Sequence, residues 1–117
     1  MNLPILAALL LLQAQQVQVP ADTLARYAGR YELEGRAREL SPDDPVYQVS
    51  IENGAVHVTP PGSGKDRMSP LTTTRFKSDA QNVEVTFEVD ASGQAKRMIV
   101  HYMGYDIPAK RLADGGR

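Results

Sequence analysis

The chain has 117 residues, 42% of them hydrophobic, and a formal net charge of -1. That length allows one domain, and the even balance of acids and bases lacks the basic excess by which proteins neutralise nucleic-acid phosphates. There is no cysteine, which excludes disulfides, thiol chemistry and a cysteine-linked lipid anchor.

Leu3 to Leu12 is almost continuously apolar and is followed by QAQQVQVP. A helix needs about 20 residues to cross a bilayer, so this run fits the apolar region of a secretory signal peptide, with Ala14 before the cut. Residues 1–19 are therefore read as signal peptide and linker. Residues 20–117 are read as one domain of a periplasmic or secreted protein, with no transmembrane span in the mature chain. No Lys or Arg precedes the apolar run, and Leu12 stands where a second small residue would help cleavage. The alternative is an apolar N-terminal helix packed on the body.

In PADTLARYAGRY, Asp22 is placed to cap free amides and Gly29 to stop a helix of about two turns. Leu24, Tyr27 and Ala28 supply its apolar stripe. From Gly29 the period becomes two: Tyr31 and Leu33 share one face, Glu32 and Glu34 the other. Across GRYELEGRAR the alternating charges predict a solvated strand face laced by cross-strand ion pairs. SPDDP is a turn, and VYQVSI is a strand with Tyr47, Val49 and Ile51 in register. Glu52-Asn53-Gly54-Ala55 is a hairpin turn leading into AVHVT.

PPGSGKDR, Pro60 to Arg67, resembles a phosphate-binding loop only superficially. Pro60 stands where the first glycine belongs, and Asp66 where the magnesium-binding hydroxyl belongs. The segment reads as a surface loop. Short strands through Met68 and around Thr74 to Phe76 follow. NVEVTFEV aligns Val83, Val85, Phe87 and Val89 on one face, and Asp90 to Gly93 turns the chain. AKRMIVHYM is apolar on both faces, which predicts a strand covered on both sides. GYDIPAKRL closes the domain. The expectation is all-β: a small antiparallel meander barrel of six to eight short strands, preceded by one short helix.

Candidate sites are sparse. His57 and His101 form no metal-ligand spacing, and no cofactor is expected. Ser69 and Ser78 read as turn residues, without a nucleophile-elbow signature. Glu84 and Glu88 flank Thr86 on an outer strand face. Tyr31, Tyr47 and Tyr102 lie on apolar strand faces, where they either fill the barrel or line its mouth. With His101 they make the candidate contact set for a ligand or partner. An enzyme pocket built on His101 with a nearby Asp or Tyr is the rival.

Taken together, YAGRY (Tyr27–Tyr31), IENGAVHV, SPLTTTRF (Ser69–Phe76), VEVTFEVDASGQAKRMIVHYMG and IPAKRL (Ile107–Leu112) resemble DUF3471 over residues 24 to 112. That small domain of unknown function is often found at the C-terminus of beta-lactamase-related, penicillin-binding-type serine hydrolases. The resemblance implies a lipocalin-like barrel, standing alone here, in an accessory role such as shaping or gating access to an active site. The hydrolase Ser-x-x-Lys motif has no counterpart in this chain, so no catalytic residue is carried over. The expected function is a non-catalytic binding domain of the cell envelope. It would contact a small apolar ligand, a peptide or an envelope protein, with a separate serine hydrolase as one such partner. A purely structural protein-interaction module is the third reading. No nucleic-acid partner is expected.

Overall fold

The computed structural model describes residues 17–113, so the expected signal segment lies, apart from its last three residues, outside the described residues. Helix α1 (Ala21–Ala25) leads into β1 (Gly29–Leu33), a 3-10 segment (Gly35–Leu40), β2 (Val46–Glu52), β3 (Ala55–Thr59) and β4 (Asp66–Pro70). Then come β5 (Arg75–Ser78), β6 (Val83–Val89), β7 (Ala95–Tyr102) and β8 (Tyr105–Arg111). Each strand pairs antiparallel with the next, and β8 returns to β1 through Tyr31↔Arg111 and Leu33↔Ala109. The result is a closed eight-stranded meander, as the alternating pattern and the hairpin turns predict. Closure leaves no open edge for another strand to join. Asn53 and Gly54 turn β2 into β3 at φ 52° and 76°, the left-handed pair that a two-residue hairpin needs.

The inward residues form one core: Tyr31, Leu33, Val49, Val56, Val58 and Met68 from the first half, and Phe76, Val85, Phe87, Met98, Val100 and Ala109 from the second. Ala95 and Met98 are both fully buried although they are three residues apart. The register between β6 and β7 shifts beside Glu88 and Val89, where an extra residue in β7 lets both side chains point inward. Beyond this irregularity Val89 is 44% exposed, and so leaves the inward row assigned to it from the alternation.

Three further expectations change. Helix α1 is five residues long, its N-cap is Pro20, and Asp22 sits in the first turn without making a cap hydrogen bond. The amides of Thr23 and Leu24 bond to the Pro20 carbonyl instead. The last four residues of GRYELEGRAR belong to the 3-10 segment rather than to a strand, because local bonds replace the ladder: Ala37 N–H donates to Glu34 O, and Ser41 N–H to Arg38 O. Strand β7 is not covered on both faces. Its outer side chains His101 and Ile99 are half-buried, Tyr102 is exposed at its end, and Met103 belongs to the turn beyond.

Candidate functional site

Antiparallel order sorts the connections into two ends. At one end lie α1, the Asn53-Gly54 turn, Leu71–Thr74 and the Asp90 turn; at the other lie residues 34–45, 60–65, 79–82 and the Met103-Gly104 turn.

The first end is closed. Tyr27 stacks on Phe87, centroids 4.4 Å apart and planes 4° apart, with Phe76 edge-on to both rings and Tyr31 tilted against Phe87. Such ring pairs add about 0.5–1.5 kcal/mol beyond the area they bury. The polar tips are satisfied: Tyr27 Oη donates to Thr73 O at 2.7 Å, and Tyr31 Oη to Tyr27 O at 2.7 Å. Arg111 fastens the plug by donating to Ala28 O at 2.6 Å and Arg26 O at 3.2 Å. Gly29 makes room for it: a Cβ there would lie 3.0 Å from Arg111 Nε, at a φ of 152° that other residues rarely adopt.

The second end is open. A cavity of about 170 Å³ enters it between Tyr47, Val58, Val83, Val100, Tyr102 and Ile107, with Pro60, Asp66 and Gln81 at the rim. PPGSGKDR thus borders the mouth, and it runs into strand β4 rather than into a helix, so no helix N-terminus follows to hold a phosphate. Burial pushes the Tyr47 phenol up from its ordinary value. Its hydroxyl makes no hydrogen bond with any of the described residues. On the Asp66 side, buried Ser78 donates to Asp66 Oδ1 at 2.9 Å and accepts from the amides of Ala80 and Gln81.

From the mouth a groove of about 750 Å³ continues over the outside of the barrel, between the 3-10 segment and the β7–β8 hairpin. Tyr102 and Ile107 line both spaces. The groove's apolar side chains face solvent: Leu40 is 71% exposed, Met103 77% and Tyr105 69%. A contiguous apolar patch on a small protein marks a contact surface more often than an accident of folding.

The four candidate residues thus separate. Tyr31 is wholly interior and belongs to the closed end. Tyr47 and Tyr102 meet at the mouth. His101 lies on the outer face of β7, where Nδ1 is 2.7 Å from Asp106 Oδ1 and Nε2 is 2.8 Å from Thr86 Oγ1. The carboxylate only accepts, so Nδ1 carries the proton, and a neutral ring then accepts the Thr86 hydroxyl at Nε2. A shallow concavity of about 280 Å³ beside it is bounded by Arg75, Glu84, Tyr105 and Asp106. His57 Nδ1 lies 3.2 Å from Ala55 O, away from this cluster. Sequence reasoning missed Leu40, Met103 and Tyr105. The three apolar or aromatic residues around Gly104 in YMGY were the available signal. No helix is long and apolar enough to cross a membrane, and no cluster of three or more His, Asp or Glu fit for a metal occurs, among the described residues.

A family model described as "Domain of unknown function (DUF3471)" matches residues 13–111. The chain belongs to that family. No curated protein and no solved structure matches it. In this DUF3471 domain, much of what carried the resemblance is structural. YAGRY is the aromatic plug with its glycine, and the end of IPAKRL provides buried Ala109 and the Arg111 clasp. Only Ile107 and Pro108 from that last segment reach the groove.

Proposed function

We propose that this domain is a non-catalytic accessory module whose open end holds an apolar group of a ligand or partner. One observation carries the reading: the mouth cavity, lined by a Tyr47 hydroxyl with no partner among the described residues, runs through Tyr102 and Ile107 into an exposed apolar groove. Convergent apolar walls with few polar handles are the usual make-up of a binding pocket. The apolar run Leu3–Leu12 with Ala14 after it supports export to the periplasm or medium, and the resemblance supports a separate serine hydrolase as one class of partner.

Titration of the labelled full chain with indole, followed by NMR, tests the mouth. Shifts concentrated at Tyr47, Val58 and Val100, abolished in V100F with the fold intact by circular dichroism, support the reading. Shifts scattered over the surface, or absent at millimolar indole, end it. Mass spectrometry of the protein recovered from an expressing bacterium tests export, through a product that begins at Gln15.

The enzyme reading has one observation in its favour, the Thr86–His101–Asp106 chain of contacts, which has the order of a nucleophile, base and orienting acid. Against it, Thr86 and His101 lie in strands paired on both sides, where backbone N–H groups are committed to the ladder and do not converge on an oxyanion. Loss of activated-ester hydrolysis in both T86V and H101Q would favour the enzyme. Loss in H101Q alone reports only an accessible imidazole.

A further inference from the structure

We propose that the occupant of the open end is a peptide segment of another protein, entering with one apolar side chain and carrying a carboxylate that meets Arg36. This rests on the binding reading above and names its ligand class. Size comes first. Pockets that engulf a free small ligand hold about 300–1,000 Å³, and the mouth cavity holds about 170 Å³. A cavity near 150 Å³ accommodates benzene, so this one accepts a Phe or Leu side chain and leaves the rest of its molecule outside. The rest then lies in the groove, which begins where the cavity ends and offers Leu40, Met103 and Tyr105.

Charge sets the polarity of the peptide. Arg36 lines the groove and has no acid or hydrogen-bond partner among the described residues. Its neighbours are committed: Arg38 to Glu32, and Arg97 to Glu34 and Glu88. Asp106 on the opposite wall is engaged by His101. That bond leaves the Asp106 carboxylate charged, so what calls for an acid is local: Arg36 is the cation of the lining without a partner among the described residues, and the peptide's carboxylate meets it at that wall.

Main-chain addition is unavailable as a binding mode, since β7 and β8 are both paired on both sides. Anchor-in-pocket recognition is what the closed barrel leaves. A second copy is the competing occupant, and the oligomeric state distinguishes it.

The test titrates the full chain with capped pentapeptides carrying one central Phe and one Glu at each other position in turn. A matching set carries Lys for Glu, and benzene and laurate serve as separate probes. NMR shifts are read at Tyr47 and Val58 in the mouth and at Leu40 and Met103 in the groove. The best Glu peptide is expected to bind about fivefold tighter than its Lys counterpart, and R36E to reverse that order. Arg36 is exposed and outside the core, so R36E keeps the fold. Equal affinity of the two sets, or laurate binding without peptide binding, overturns the peptide while leaving the binding reading in place. A native mass showing a dimer that protects Leu40 and Met103 overturns it in favour of a second copy. If benzene, laurate and both peptide sets all leave Tyr47 and Val58 unmoved, the binding reading falls with it.

Discussion

The two ends of the barrel are built from the same kinds of residue and put them to opposite uses. At the closed end four aromatic rings interlock, and both tyrosine hydroxyls there are bonded to backbone carbonyls. At the open end Tyr47 and Tyr102 stand around a cavity, and the Tyr47 hydroxyl has no partner among the described residues. What separates them is the helix. Leu24 and Tyr27 of the α1 region reach into one end, whereas the loops at the other end send no comparable apolar side chain into the mouth. Stability and contact are thus assigned to different ends, and substitutions should report that division.

The largest effect is expected at the plug. Phe87→Ala removes the ring on which Tyr27, Tyr31 and Phe76 converge and should cost about 3–5 kcal/mol in a urea unfolding curve. A loss under 1 kcal/mol would mean that the closed end is as loosely filled as the open one. The tyrosine hydroxyls give a matched pair. Tyr31→Phe strips the buried Tyr27 carbonyl of a donor and should cost about 1–2 kcal/mol. Tyr47→Phe leaves no partner behind and should stay within about 0.5 kcal/mol of the parent. Equal costs would remove the distinction between a satisfied end and a waiting one.

This division was partly legible in the sequence. The period-two runs, the Asn53-Gly54 turn and the order of hairpins were sufficient for the barrel, because strand alternation and turn chemistry are local properties. Tyr31 and Tyr102 could not be told apart, since both lie on apolar faces and only the packing of α1 decides which end is plugged. Tyr27 belongs to the helix stripe by its spacing, yet it lies past the helix and stacks on Phe87 in the plug. The groove is not visible in the sequence for a related reason. Leu40 and Met103 are more than sixty residues apart in sequence, and the strand reading of GRYELEGRAR ends at Arg38, short of Leu40. Alternation puts His101 on the same face as Ile99, but its contacts to Thr86 and Asp106 depend on cross-strand register, which alternation alone does not give.

Acid should disturb the ends unequally. Hydrogen bonds from Ser92 and the Gln94 amide to the Asp90 carboxylate, at the closed end, hold that group down to about 2. Its folded value lies below its unfolded one, so its stabilising contribution is present above the ordinary carboxylate range and is lost as pH falls from about 4 towards 2. Glu34, beside the groove, is lowered in the same sense by the Arg97 hydrogen bond, so its smaller contribution also fades on acidification. Asp90→Asn should flatten the dependence of the urea midpoint on pH over that window. An unchanged slope would show that the Asp90 turn contributes nothing to the acid response.

The smallest effect is expected where the exposed apolar surface is greatest. Leu40→Ser and Met103→Ser remove side chains that are 71% and 77% exposed and are not part of the core. Each should shift the urea midpoint by no more than about 0.5 kcal/mol equivalent, because little apolar area leaves water when these residues fold. The same substitutions should weaken binding of the Phe-Glu peptides, since the groove gains its value only when something covers it. A stability loss above about 1 kcal/mol would place both residues in the folded core and dissolve the contrast between the two ends. A null effect on stability with a clear effect on binding is the pattern that a surface held in reserve for a partner must show.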